Sequence, residues 1–213
     1  MGIANLAVLD WGGIVIDAAG ESVRGRAAGP DAVPMGLRRR MPKFSLAAVR
    51  CAVGVAVPGC ELIFASRYGD VTTALQLSEA IVAADLLSPS AFSACVHNAA
   101  PGLTAQVVGE KSSHTAVAAG DASLAAGLLE AWLRLSSGEA REVVVFYSEQ
   151  PMPGAYAVFE HEPDAPFVAL ALRLGLGAAG EAADAGLGRA GALALLNALE
   201  GGASAVAVST DMR

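Results

Sequence analysis

Basic residues and aromatic residues are both scarce in this chain of 213 residues. Fourteen Lys and Arg stand against 21 Asp and Glu, which gives a net charge of −7, and aromatic residues make up 5%. Proteins that bind nucleic acid need clustered positive charge to neutralise phosphates, so the composition argues against a nucleic-acid partner. The one basic run, Arg38 to Arg40 followed by Lys43, is typical of a solvated loop, and the same charges could dock an acidic protein.

Long apolar runs and paired cysteines are lacking as well. The apolar stretch at 46–58 is too short to span a bilayer, and the N-terminus shows no secretion signal. Cys51, Cys60 and Cys95 are an odd number of cysteines with no zinc spacing. We therefore expect a cytoplasmic protein with reduced thiols and no membrane span. No metal-ligand cluster or nucleotide-binding glycine motif is visible, so we expect neither a metal nor a cofactor.

What the chain does have is small and aliphatic residues, which make 54% of it apolar when the aromatics and cysteines are included. Strand-like and helix-like patterns alternate along the chain, and this predicts an α/β layered fold. The predicted strands are 3–9, 61–65, 114–119, 142–148, 155–160 and 167–174, and the tail either adds a strand at 204–208 or frays. The predicted helices are 45–57, 71–84, 92–108, 122–136 and 189–199.

Local signals set the expected boundaries. The Trp-Gly-Gly sequence at 11–13 is expected to end the first strand, and the Gly-, Pro- and Arg-rich range 17–43 is expected to be an irregular arm within a single domain of residues 1–213. Ser45 and Asp70 are candidate N-caps, since their side chains can accept a hydrogen bond from a free helix N–H.

Two further features concern the later helices. Pro101 is expected to kink or break helix 92–108. Helix 122–136 has Asp121 as its candidate N-cap and is apolar nearly all the way round, which predicts burial between layers on nearly all sides.

The clearest candidate for chemistry is the neighbouring pair Cys95 and His97, which could supply a thiol nucleophile and its base. Residues two apart lie on opposite sides of a helix, and on a strand they stand nearly 7 Å apart, so the spacing argues against such a pair. His97 and Asn98 are more simply polar groups at a buried junction. His114, at the start of a strand, is expected to be half-exposed. The sequence around Asp121 lacks the G-x-S-x-G pattern of a hydrolase.

Five ordered segments carry a family resemblance: LRRRMPKFSLAAV (37–49), FASRYGDVTTALQLSEAI (64–81), SPSAFSACVHNAAPGL (88–103), SSHTAVAAGDASLAAGLLEA (112–131) and FYSEQPMP (146–153). Together they resemble the short β-ketoacyl-synthase-like proteins of the chain-length-factor type, which are associated with aryl-polyene-type biosynthesis. The resemblance covers most of residues 34–153, and the C-terminal part matches weakly.

The resemblance implies a thiolase-like α/β/α/β/α layered fold, of which this chain would supply mainly the N-terminal half of a ketosynthase. In active ketosynthases, the strand corresponding to 114–119 leads to a catalytic Cys at the N-terminus of a buried helix. Here that position is Gly120, which cannot be acylated. The family also uses two histidines from its C-terminal half, and His161 is the last histidine here. The implied function is therefore a non-catalytic chain-length factor.

The resemblance also implies partners, namely an active ketosynthase in a heterodimer and an acyl carrier protein. Residues 92–106 and 113–120 would face the ketosynthase. The residues expected at the binding interface are Phe92, His97, Asn98, Gly102, Leu103, His114, Gly120, Asp121 and Leu124. Two alternatives stay open at this point: an acyltransferase that uses Cys95, and a homodimeric module that binds carrier protein.

Overall fold

A single mixed sheet organises the chain in the computed structural model, which describes residues 3–177 and 182–209. Its strands, within those ranges, are β1 (Ile3–Asp17), β2 (Gly20–Gly25), β3 (Glu61–Ala65), β4 (His114–Val117), β5 (Val143–Glu149), β6 (Phe167–Leu176), β7 (Ala182–Asp184) and β8 (Ala205–Ser209). They lie in the order β4-β3-β5-β6-β1-β8-β7, and β2 pairs with β1 as a hairpin. β3 is parallel to β4 and to β5, whereas β6 is antiparallel to β5 and to β1.

Helices cover both faces of the sheet, so this chain forms three layers. They are α1 (Met35–Arg38), α2 (Lys43–Val55), α3 (Val71–Val82), α4 (Pro89–Cys95), α5 (Ala99–Val108), α6 (Ser123–Ser137) and α7 (Gly188–Glu200). All side chains of β5 are buried, as expected for a strand covered on both faces. Val145 packs towards α6 and α7, and the next residue, Phe146, packs towards α2 and α5.

The first strand does not end at residues 11–13, which corrects that prediction. A Cβ on Gly12 would lie 2.5 Å from the Ala27 nitrogen, and a Cβ on Gly13 would lie 2.5 Å from a methyl carbon of Leu196. The two glycines therefore allow close packing within a continuing strand. The expected irregular arm, 17–43, is irregular only in part, since it contains β2, a 3₁₀ turn and α1.

Several other elements confirm the predictions or correct them. β3 has the predicted bounds, and α7 and β8 lie where they were expected. The predicted strand 155–160 is wrong: Gly154–Phe159 is a 3₁₀ helix that follows two prolines and begins at a residue with φ of 46°. The expected break in helix 92–108 occurs at residues 96–98, because Pro101 fits in the first turn of α5, where its missing N–H is not needed.

The three candidate N-caps have different outcomes. Asp70 caps α3, with Oδ1 accepting a hydrogen bond from the Thr73 N–H at 3.1 Å. Ser45 is not a cap, because α2 begins two residues earlier at Lys43. Asp121 is not a cap either: α6 begins at Ser123, and the residue before it provides no side-chain cap.

Helix α6 is buried along one face rather than on nearly all sides. The buried stripe includes Leu124, Leu128, Ala131 and Leu135, which face the sheet. Leu133 is exposed and Trp132 is half-buried. Within residues 3–177 and 182–209, none of the helices combines the length and the hydropathy that a membrane span requires.

Candidate functional site

The turn from β4 to α6 forms an open corner centred on Gly120. Gly120 is exposed and has a φ of +60°, a left-handed conformation that favours glycine. A Cβ added there would contact nothing within 4 Å. The nearest hydroxyl in the turn belongs to Ser123, which is buried, accepts the Ala119 N–H at 3.0 Å and donates to the Gly120 carbonyl at 2.6 Å. The corner therefore has space for a side chain, and within the described turn 118–123 there is no cysteine and the one hydroxyl is already hydrogen-bonded.

An ion pair stands beside this corner. The guanidinium of Arg67, in the turn after β3, donates to the carboxylate of Asp121 and lies 4.6 Å from the centre of the Tyr68 ring. The backbone carbonyl of Asp121 accepts a hydrogen bond from the Gly188 N–H at 2.9 Å. Asp121 thus ties the start of α6 to the turn after β3 and to the start of α7, a role different from the expected cap.

Glu149 is a buried acid at the end of β5, with 4% of its surface exposed. Its Oε2 accepts hydrogen bonds from the Arg67 N–H at 2.6 Å and from the Ser66 hydroxyl at 3.1 Å. Its Oε1 is buried and has no hydrogen-bond partner among the described residues. Burial raises the pKa of Glu149 to about 7, against the hydrogen bonds and the Arg189 charge that act to lower it.

Arg189, at the start of α7, is a buried cation that fastens the segment after β5. It is 3% exposed and donates to the Gln150 carbonyl, the Glu160 carboxylate and the Glu162 carbonyl. Burial acts to raise the pKa of Glu160, but hydrogen bonds from Arg189 and from two backbone N–H groups lower it to about 2. The Glu162 carboxylate accepts the N–H groups of Arg189 and Ala190, and so caps α7 from a distant loop.

One cavity adjoins the corner, and a second cavity shares three lining residues with the first. The first, lined by Arg67, Asp121, Glu149 and Arg189 among others, has a volume of about 20 Å³, which is room for one or two water molecules and not for an acyl chain. The second is a trough of about 270 Å³ whose walls are apolar or aromatic. Its lining residues are Tyr68, Val71, Met152, Tyr156 and Phe159.

Cys95 and His97 do not form a catalytic pair, as their spacing indicated. The Cys95 thiol lies at the C-terminal end of α4 and donates to the Phe92 carbonyl at 3.2 Å. His97 instead lies against the Phe64 ring, with Nε2 3.3 Å from the Val117 carbonyl oxygen.

The remaining predicted residues lie in separate places. Asn98, Gly102 and Leu103 line a cavity of about 250 Å³ between α1, α4 and α5. His114 is exposed at the start of β4, where a half-exposed side chain was expected. Leu124 packs into the chain's own core, which does not agree with its expected place at an interface.

A long exposed surface carries almost no charge. Between Glu79 and Glu110 the only charged residue is Asp85. Six large apolar side chains are exposed there, and we call them the 81–96 apolar surface: Ile81, Val82, Leu86, Leu87, Phe92 and Val96. Monomeric proteins rarely expose apolar side chains in such number on one segment, and such patches mark sites of interaction.

β4 adds an open sheet edge next to α5, which packs against it. The carbonyl of Ser113 accepts a hydrogen bond from the Leu62 N–H of β3, and that of Val117 accepts one from the N–H of Ser66, directly after β3, both at 3.2 Å. Since backbone groups alternate along a strand, those of His114 and Ala116 face away from β3, where no described strand pairs with them. An edge of this kind can pair with a strand of another chain.

Sequence reasoning missed the residues that surround the corner, namely Glu149, Glu160, Glu162 and Arg189. The sequence did contain one signal for the burial of Glu149. This acid directly follows six apolar or small residues of a predicted buried strand, so it is expected to lie close to the core. The pairing of Arg189 with Glu160 joins residues 29 apart, and no local pattern marks it.

A protein-family model and several solved structures match this chain, and they indicate the same fold. The family model described as "Beta-ketoacyl synthase, N-terminal domain" matches residues 19–202. No curated protein matches the chain in sequence.

Among solved structures, a ketosynthase (ApeO) in complex with its chain length factor (ApeC) from Xenorhabdus doucetiae matches with a TM-score of 0.70 and 24% identity, over 83% of this chain and 81% of that chain. The ishigamide ketosynthase/chain length factor matches with a TM-score of 0.62 and 16% identity, over 84% and 63%. A β-ketoacyl synthase from Burkholderia phymatum matches with a TM-score of 0.60 and 11% identity, over 82% and 59%.

Proposed function

Because the chain belongs to the family of β-ketoacyl synthase N-terminal domains, we propose that it is a non-catalytic chain-length factor that pairs with an active ketosynthase. Its α/β fold is the thiolase-like fold of that N-terminal half, as the resemblance predicted. The biosynthetic setting that we propose is fatty-acid or polyketide assembly of the aryl-polyene kind.

The corner at Gly120 is the observation that carries this proposal. A thioester-forming enzyme needs a nucleophile, and a thiol at a helix N-terminus is activated by the helix dipole. Gly120, which the resemblance places at the equivalent position, has no side chain, and the hydroxyl of Ser123 is already used within the turn. Asp121, the exposed residue after Gly120, is paired with Arg67.

Two surfaces support a protein partner. The 81–96 apolar surface would lose unfavourable contact with water when covered, and the edge of β4 offers free backbone groups for strand pairing. Because this surface has no Lys or Arg between residues 80 and 109, an anionic membrane is a poorer match for it than an apolar protein surface.

The α4–α5 region is our candidate for the wall that limits chain length. Phe92 is exposed on α4, Leu103 lies on α5, and His97 connects this region to the end of β4. A growing apolar chain that meets a bulky side chain cannot advance without an overpacking cost of about 1–3 kcal/mol. Leu124 is left out of this wall because it is in the core.

A carrier-protein contact is the second part of the proposal. Arg39, Arg40 and Lys43 are exposed on an otherwise acidic chain, whereas Arg38 is paired with Asp31. Carrier proteins are acidic, so these three cations suit a transient, salt-sensitive contact.

Co-expression tests the proposal directly. The tagged chain should co-purify with the ketosynthase from its own gene cluster, and omission of the chain should reduce ketosynthase yield or change product length. Intact-mass analysis should find no acyl group on the chain after incubation with an acyl thioester. An acyl group on Cys95 that is lost in Cys95→Ala would instead support an acyltransferase. A homodimer that retains carrier protein without any ketosynthase would support the third alternative.

A further inference from the structure

The cavity between α1, α4 and α5 combines an unpaired cation with unpaired amide groups. Its volume is about 250 Å³. The side chains of Arg40, Asn98 and Gln106 line it, and among the described residues none of the three has a hydrogen-bond or ion-pair partner. The hydroxyl groups of Ser90 and Ser93 belong to the same lining. Polar groups that converge on one space without partners in their own chain are available to a ligand.

Carboxylates are missing from this part of the chain, although the chain as a whole has a net charge of −7. Neither residues 32–60 nor residues 86–109 contain an Asp or a Glu, and every residue that lines the cavity falls in those two ranges. An anion in the cavity therefore meets the guanidinium of Arg40 without repulsion from the lining. This charge distribution favours a phosphate group, to which a guanidinium can donate two parallel hydrogen bonds.

The rest of the lining indicates what kind of chain is attached to the anion. Leu37, Met41 and Leu103 provide apolar contacts beside the amide groups of Asn98 and Gln106. A bare phosphate would make no use of the apolar side chains, and a fatty acid would cover the amide groups without pairing them, which costs free energy. A phosphate ester whose chain carries both amide and methyl groups matches both parts of the lining. The phosphopantetheine arm of a carrier protein has this chemistry.

The cavity lies between two surfaces that the proposed function already uses. Arg40 lines it and belongs to the exposed cations, with Arg39 and Lys43, that suit a carrier-protein contact. Leu103 lines it from α5, in the region that we place at the wall limiting chain length. The cavity shares no lining residue with the small cavity at the Gly120 corner. A carrier protein bound at the cations would therefore have a place for its arm that is separate from the corner.

We propose that this cavity binds the phosphopantetheine arm of the carrier protein, with Arg40 donating to the phosphate and with Asn98 and Gln106 paired with the amides of the arm. This inference rests on the carrier-protein contact in the proposed function and deepens it. Arg39 and Lys43 attract any acidic carrier protein, whereas Arg40 distinguishes a carrier that bears the arm from one that does not.

Titration of the full chain with the apo and holo forms of the carrier protein tests this site, because the two forms differ only by the arm. The wild-type chain should bind the holo form about tenfold more tightly than the apo form, a gain typical of a charge-assisted hydrogen bond. Arg40→Gln should remove this difference. Both forms binding the wild type equally, or a difference that persists in Arg40→Gln, would overturn the proposal.

Arg39→Gln is the matched control for this titration. Arg39 is exposed and adjacent to Arg40, but it does not line the cavity. Loss of its charge should weaken the binding of both carrier forms by the same factor, so the ratio of the two dissociation constants should stay at the wild-type value. A ratio that falls to one in Arg39→Gln as well would show that general attraction of the additional phosphate charge, and not the cavity, causes the preference.

Free ligands separate this site from the proposed function. Phosphopantetheine should bind the wild-type chain, with a dissociation constant that rises about tenfold in Arg40→Gln, whereas pantetheine, which lacks the phosphate, should bind both chains equally. If both carrier forms bind equally, the carrier contact stands and the arm site is wrong. If neither form binds, the carrier contact is wrong, and phosphopantetheine decides the cavity: binding that depends on Arg40 supports the site, and absent or unchanged binding overturns it.

Discussion

Leu86→Asp is the substitution that best separates pairing from folding. Leu86 is fully exposed, at 101% relative accessibility, within the 81–96 apolar surface. An exposed residue with no contacts to lose changes the free energy of unfolding of the isolated chain by no more than about 0.5 kcal/mol. Complete burial of a leucine by a partner contributes about 1.5–3 kcal/mol. Loss of this burial free energy alone corresponds to roughly a 10- to 100-fold larger dissociation constant. Burial of the unpaired Asp carboxylate would weaken the complex further.

The assay is a binding titration of wild-type and variant chains against the purified ketosynthase, with urea unfolding of each chain alone. Val23→Asp is the matched control, since Val23 is 49% exposed on β2 and lies outside the 81–96 apolar surface. It should bind like the wild type. Equal affinities for Leu86→Asp and the wild type would show that this surface is not covered in the complex, and the reasoning from exposed apolar area would be refuted.

Three further substitutions test other parts of the structure. Gly120→Cys should lower the free energy of unfolding in urea by about 1–2 kcal/mol, because a residue with a side chain is strained in the left-handed backbone conformation. Product analysis of this variant should show no condensation activity. Measurable condensation would show that a thiol at this corner is enough for catalysis. Burial raises the pKa of Glu149 from 4.5 to about 7, so the folded chain binds the proton more tightly than the unfolded chain does. The free energy of unfolding of the wild type should therefore fall by roughly 3 kcal/mol as the pH rises from 4.5 through 7. Glu149→Gln should lack this fall in pH-dependent urea unfolding, and an unchanged slope would contradict the assignment. Arg189→Met removes one partner of a buried ion pair and should destabilise the chain by about 3–5 kcal/mol in urea, whereas a loss below 1 kcal/mol would show that the pair contributes little.

The fold could be predicted well where one local pattern decided the structure. β3 and β5 are continuous apolar runs between polar or turn residues, and their bounds were predicted to within one residue. The predictions failed where contacts distant in sequence decided. Gly12 and Gly13 are local breaking signals, yet β1 continues through them because both pair with β2 and β6. Glycine is required there because residues 26–27 and α7 approach too closely for a side chain.

The candidate site could be predicted only in part. The family resemblance led to Gly120 at the turn between β4 and α6, and the structure places Gly120 at such a turn. The surrounding polar network could not be predicted, because Arg189 and Glu160 read singly as surface residues and only the strand context marked Glu149 as close to burial. The burial of Arg189 and its contact with Glu160 become visible only when β5, α7 and the segment after β5 are brought together. The wrong N-cap prediction for Asp121 has a similar cause. Its carboxylate forms an ion pair with Arg67, distant in sequence, instead of accepting a hydrogen bond from an N–H of α6.

Native mass spectrometry of the chain co-expressed with its ketosynthase tests whether this chain is a non-catalytic partner. We expect a heterodimer in which the ketosynthase carries the acyl group and this chain keeps its unmodified mass. A homodimer of this chain beside a separate ketosynthase homodimer, or an acyl group bound to this chain, would contradict it.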